Sequence, residues 1–133
     1  MTVKEWLNRG FNLHKEIEQL KEAKQKAKDL ACSVSANLGE EKVQRASRNS
    51  TEIKMINYAE YSRLLYERID ELLEINKEIV SAISKVEDTT LRSILTARYV
   101  NFNTWEQIAV GMNYSYVHVL RLHDKALKCV KML

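Results

Sequence analysis

Apolar residues recur every three or four positions along most of this 133-residue chain, which predicts an all-α protein. The first such run is Val3, Trp6, Gly10, Leu13, Ile17, Leu20, Lys24, Ala27 and Ala31. With two interruptions it reads as a coiled-coil seam, opened by a capping box at Thr2 and Glu5. Charges alternate on the other faces, as in Glu18, Lys21, Glu22 and Lys26, which suits a solvated helix. A second run comprises Met55, Tyr58, Ser62, Leu65, Ile69, Leu72, Asn76, Ile79, Ile83 and Val86, and predicts a longer helix from near Ser50. Ile69, Asn76 and Ile83 share one seam position, while Leu65, Leu72, Ile79 and Val86 share the other. Asn76 either pairs with its copy across a parallel dimer or occupies a polar place in a hairpin with the first helix. Neither helix can bury its seam alone, so each pairs with the other or with a second chain.

Between residues 32 and 50 the periodicity fails. Cys32 through Gly39, followed by Lys42, Arg45, Arg48, Asn49 and Ser50, reads as a partly disordered linker. Its basic residues are more simply solvated than bound to nucleic acid. The expected layout is therefore a helical stalk over residues 1–87, with a linker at 32–50, and a separate domain over residues 88–133.

That last segment is dense in helix boundaries. Asp88 is a candidate N-cap for a short helix with Leu91, Ile94, Leu95, Arg98 and Tyr99 on its apolar side, ending near Asn101. Thr104 and Gln107 form a second capping box, opening a helix whose Trp105, Ile108 and Ala109 point inward. Gly111-Met112-Asn113-Tyr114 supplies a turn, with glycine near a helix end and asparagine where a left-handed conformation is needed. Ser115 caps the last helix, whose inward face is Val119, Leu122, Ala126 and Val130, with Leu127 beside them. A capped helix, a short turn and a second capped helix make a helix-turn-helix, in which small Ala109 lets the two approach closely.

Composition narrows the functional classes. Proline is absent and glycine occurs three times, which favours long uninterrupted helices. No apolar stretch reaches the roughly 18 residues that a membrane-spanning helix needs. The N-terminus lacks the basic-then-apolar layout of a secretory signal, so a cytoplasmic location is expected. Cys32 and Cys129 lie far apart in no CxxC pattern, so reduced thiols are expected. Residues 1–87 carry 15 basic and 15 acidic side chains, whereas residues 88–133 carry 6 and 3. The whole net charge of +3 therefore lies in the C-terminal segment, which is compatible with phosphate contact. His118 and His123 are five residues apart, on different helix faces, and no metal-ligand pattern accompanies them. With no phosphate loop and no nucleophile-base arrangement visible, neither a metal, a cofactor nor catalysis is expected.

The run Asn103-Thr104-Trp105-Glu106-Gln107-Ile108-Ala109, then Met112-Asn113-Tyr114-Ser115, then Val119, Leu122 and Ala126-Leu127, resembles region four of bacterial sigma factors. Together with His118, Arg121, His123 and Lys125, and with the long N-terminal helices, it also resembles a family of small phage-borne proteins related to the late-gene activator RinA and the autolysin regulator ArpU. The resemblance implies a phage or prophage transcription regulator acting on duplex DNA in the cytoplasm of a bacterial host. Sigma region four presents mainly charged and amide side chains early in its recognition helix. Here the matching places hold Tyr116, Val117, His118, Leu120 and Arg121.

With this helix in the major groove, Val117, Leu120, Arg121 and Asp124 share its outward stripe. Arg121 alone among the matching places can contact guanine in bidentate fashion, while Val117 and Leu120 suit either thymine methyls or a protein surface. Tyr116 and His118 flank the helix N-terminus begun by Ser115, where phosphate is favoured, and Lys125 and Lys128 lie further along within reach of the backbone. Thr104 brings the preceding helix to phosphate through its own N-terminus. A homodimer through the stalk is expected. Two other classes fit the same elements: a small-terminase-like DNA-packaging protein, and a sigma mimic that docks on RNA polymerase.

Overall fold

The structure, a computed structural model, describes the backbone of residues 1–36 and 41–132, and side chains within them except 31, 33–36, 41–51 and 54. The protein is all-α, with no strand among the described residues. The helices are α1 (Val3–Leu7), α2 (Arg9–Ala36), α3 (Glu41–Ser84), α4 (Thr89–Tyr99), α5 (Trp105–Met112) and α6 (Tyr116–Cys129). None is long and apolar enough to cross a membrane, among the residues described.

The Thr2 capping box forms as expected: Thr2 Oγ1 accepts from Glu5 N, and Glu5 Oε2 accepts from Thr2 N, both at 3.1 Å. The single first helix expected from the seam is instead broken at Asn8. The Asn8 N–H closes α1 on the Lys4 carbonyl, and its own carbonyl accepts from Phe11 N. Arg9 braces the break, donating to the Trp6 carbonyl at 2.9 Å and to Glu78 at 2.7 Å, with its guanidinium 4.6 Å from the Trp6 ring centre.

The expected linker is also revised. Helical backbone continues to Ala36 and resumes at Glu41, so only residues 37–40 of that segment lie outside the described residues. Residues 41–50 contain neither glycine nor proline and include Glu, Lys, Gln, Arg and Ala, whose propensity favours helix where no seam repeats. The partial disorder expected of this segment lies, at residues 37–40, outside the described residues.

The compact units differ from the expected division at residue 87. One unit joins Met1–His14 to Glu71–Leu133, and the other is Lys15–Asp70. In the first, Trp6 and Leu7 of α1 pack with Ile79, Ala82, Ile83 and Val86 of α3, Leu91, Leu95 and Tyr99 of α4, and Ala126 and Val130. A second cluster joins Ile94, Ile108, Ala109 and Val119, and Leu122 packs against both. The short, capped C-terminal helices thus borrow their core from both ends of the chain.

Gly10 lets this happen. A Cβ there would lie 3.1 Å from Leu72 Cδ1, 3.4 Å from Phe102 Cζ and 3.6 Å from Asn76 Oδ1. Asn76 therefore sits against α2 of the same chain, its Oδ1 buried with no hydrogen-bond partner among the described residues. Of the two readings of Asn76, the intramolecular one matches this placement. Overpacking a close contact costs about 1–3 kcal/mol. Gly10→Val is therefore expected to lower stability by about that amount, measured as a shift in the urea midpoint.

In the second unit, Arg68 pairs with Glu16 at 2.8 Å and Lys24 lies 5.3 Å from the Tyr58 ring centre. Partner numbers rise on one helix as they fall on the other, so the two segments lie antiparallel. Among its described residues Ile17 and Leu65 are buried, and Arg63 bridges Glu60 and Glu67 on the exposed side.

Candidate nucleic-acid interface

The three C-terminal helices are fixed by local chemistry that the sequence announces. Asp88 caps α4, its Oδ1 accepting from Leu91 N at 3.1 Å. The loop after α4 turns through Phe102, which takes a positive φ of 57°. Asn101 N and Asn103 N donate to the Thr96 and Ala97 carbonyls on either side of it. The Phe102 ring stacks on His14 at 4.2 Å, so burial against α2 offsets the strain of a left-handed non-glycine residue. Arg98 is consumed here, donating to the Asn103 carbonyl at 3.1 Å with its guanidinium 4.4 Å from the Trp105 ring centre.

Thr104 opens α5 with the expected reciprocal box, Gln107 N donating to Thr104 Oγ1 at 3.2 Å and Thr104 N to Gln107 Oε1 at 2.9 Å. At the other end Asn113 takes φ 58°, with Tyr114 N on the Ala109 carbonyl and Asn113 N on the Val110 carbonyl. Asn113 therefore supplies the left-handed residue, as its place in the turn led one to expect. Gly111 lies within the helix with open space where a Cβ would be. Ser115 caps α6, its Oγ accepting from His118 N at 3.1 Å.

Val119, Ala126 and Val130 are buried as expected, Leu122 is half-buried, and Leu127 packs beside them. This orientation turns Val117, Arg121, Asp124 and Lys128 to the opposite pole, at i, i+4, i+7 and i+11. Val117 is 56% exposed and Tyr116 44%. Arg121 and Lys128 are exposed, and neither makes an ion pair or side-chain hydrogen bond among the described residues. Leu120, expected on the outward stripe, is half-buried at its edge. His118 and Lys125 turn to the α4 side, where with Asp88, Thr90, Tyr114 and Cys129 they line a groove of about 300 Å³. The His118 ring meets Tyr114 edge-on at 4.9 Å. Thr104 and Ser115 are exposed helix starts.

Eight of the ten residues singled out therefore divide into three groups: an outward pole, a groove on one flank, and the capped starts of α5 and α6; Tyr116 and Leu120 lie beside the pole. Acidic groups are few: of the three in residues 88–133, Asp88 serves as a cap, Glu106 lies in the first turn of α5, and Asp124 stands on the pole. No group of three His, Cys, Asp or Glu side chains among the described residues is placed to hold a metal ion. Cys32 and Cys129 are both exposed and are not joined in a disulfide.

His123 is the residue whose place the sequence pattern should have revealed. It lies four residues after Val119 and three before Ala126, on the buried face, and is 3% exposed. Its Nε2 lies 2.5 Å from the Tyr99 hydroxyl, and its ring meets Trp105 at 4.6 Å. Burial pushes the imidazole down to about 4, with Lys4 and Arg98 adding to the shift and Asp124 opposing it. Burial likewise pushes the Tyr99 phenol up to about 12. Both groups are neutral at pH 7, and we assign the phenol as donor to Nε2. The pair ties α4 to α6 and sets the rotation of the outward pole.

Comparison of the chain with protein-family models, curated proteins and solved structures gives no match.

Proposed function

We propose that this chain is a DNA-binding transcription regulator that lays α6 against duplex DNA. The observation that carries the reading is the outward pole of α6. There an exposed Arg121 stands without a partner among the described residues, on a helix whose start is locked by the Asn113 turn and the Ser115 cap. The basic excess of residues 88–133 supports the same reading, as does the resemblance to sigma region four and to RinA- and ArpU-related phage proteins. A homodimer would place two such helices on a two-fold site, and exposed Leu73 and Val80 on α3 support self-association.

Selection of bound sequences from random duplexes tests the proposal. An enriched motif is expected, and no enrichment at moderate salt would overturn it. Lys125→Ala and Lys128→Ala are expected to weaken binding about equally on all sequences. Each should lower the slope of log affinity against log salt by about 1.

A second reading has a specific observation in its favour. Val110 is 79% exposed, and with Val117 and Tyr116 it supports docking on a protein such as RNA polymerase. Capture of polymerase that survives excess naked DNA, with no sequence enrichment, would favour that reading. A ring of many subunits in solution would favour the packaging class.

A further inference from the structure

Resting on the DNA-binding reading, we propose which base-edge groups the α6 pole recognises: a thymine methyl at Val117, a guanine at Arg121 and a cytosine amino group at Asp124. The placement in the structure narrows the candidates to these three, Lys128 lying a further turn along the same pole and serving the phosphate backbone. Leu120 is half-buried at the edge of the stripe, and Lys125 faces the groove that contains Asp88. Both therefore flank the pole rather than lie on it.

Each of the three has one best complement. Val117 has no hydrogen-bonding group on its side chain, and the thymine methyl is the apolar feature of the major groove. The Arg121 guanidinium offers a fork of donors, which matches the O6 and N7 acceptors of guanine. Asp124 only accepts. Among base edges in this groove, amino donors are found on cytosine N4 and adenine N6. Adenine sets its N7 acceptor beside the amino group and would repel the second carboxylate oxygen, so cytosine is the better partner.

Asp124 carries most of the selectivity. Its side chain is 79% exposed, and among the described residues it makes no ion pair with Arg121; the neutral His123 ring lies 3.9 Å away through Nδ1. A carboxylate on this pole is repelled by phosphate, so it opposes sequence-independent binding and is tolerated only where it meets a donor. The spacing agrees. Val117 and Arg121 are about 6 Å apart along the helix axis, and Arg121 and Asp124 about 4.5 Å. Base pairs stack about 3.4 Å apart, so the three side chains address a run of roughly four pairs.

The test uses the full chain and the duplex it selects, with the DNA altered one atom group at a time so that the fold is untouched. Uracil in place of one thymine is expected to weaken binding about fourfold, as for loss of one buried methyl. Replacing one guanine by 7-deazaguanine is expected to weaken it about tenfold or more, as for loss of a charge-assisted hydrogen bond. Val117→Ala should abolish only the first sensitivity, and Arg121→Ala only the second, with Arg121→Ala itself weakening binding about 5- to 150-fold. Asp124→Asn should shift preference at one position from cytosine towards adenine, which an amide reads in bidentate fashion. Sequence-selective binding that is indifferent to every one of these changes would overturn the assignment while leaving DNA binding intact. Absence of sequence-selective binding would overturn both.

Discussion

Leu7→Ala is expected to destabilise the unit that carries α4–α6 by about 2–5 kcal/mol, as for other large-to-small core changes. Leu7 is 0% exposed and shares a cluster with Ile79, Leu95, Ala126 and Val130. That cluster draws on α1, α3, α4 and α6, so truncation removes buried apolar atoms from the core these helices share. The loss is large against the roughly 5–15 kcal/mol by which domains of this kind are typically stable. Guanidinium melts followed by Trp105 and Trp6 fluorescence measure it. An unchanged midpoint would show that residues 88–133 form their core without α1.

Stability is expected to fall by up to about 3 kcal/mol as pH drops from about 6.5 to about 4, through His123. The folded imidazole is held down to about 4, whereas its unfolded value is the ordinary 6.5. Between those values the unfolded chain binds a proton that the folded chain does not, so stability rises with pH across this window. The contribution is complete above about 6.5, and its upper size follows from about 1.36 kcal/mol for each pH step between the two values. Carboxylates add their own acid sensitivity, so the control is a variant without the group. Tyr99→Phe with His123→Leu removes both hydrogen-bonding partners together and leaves no orphaned hydroxyl. That double variant should flatten the profile between pH 4 and 6.5 while remaining folded at pH 7. A profile parallel to that of the unaltered chain would exclude His123 as the source.

The C-terminal helices were legible because their signals are local. Asp88, Thr104 and Ser115 act as caps within three residues of the amides they satisfy, and a pattern of that length can be read from sequence. The all-α class followed equally from periodicity. What escaped depends on contacts between distant parts of the chain. The break at Asn8 is braced by Arg9 reaching Glu78, 69 residues away, and no local pattern encodes that. Phe102 tolerates its left-handed backbone because of His14 and Phe11, which lie on α2. The extension of helix into 32–50 shows propensity continuing where the seam stops. The outward pole was legible in part: the exposure of Val117, Arg121 and Asp124 followed from spacing, whereas Leu120, expected on the same stripe, is half-buried.

Everything proposed for this chain depends on which of its surfaces meets duplex DNA. Titrating the isotope-labelled chain with its selected duplex, and following backbone amide NMR shifts, addresses this directly. The largest changes are predicted at residues 115–125 and at Thr104, with the buried Val119 and His123 retaining their protection from exchange. Changes confined to α3, or none at any amide of α6 under saturating duplex, would contradict it.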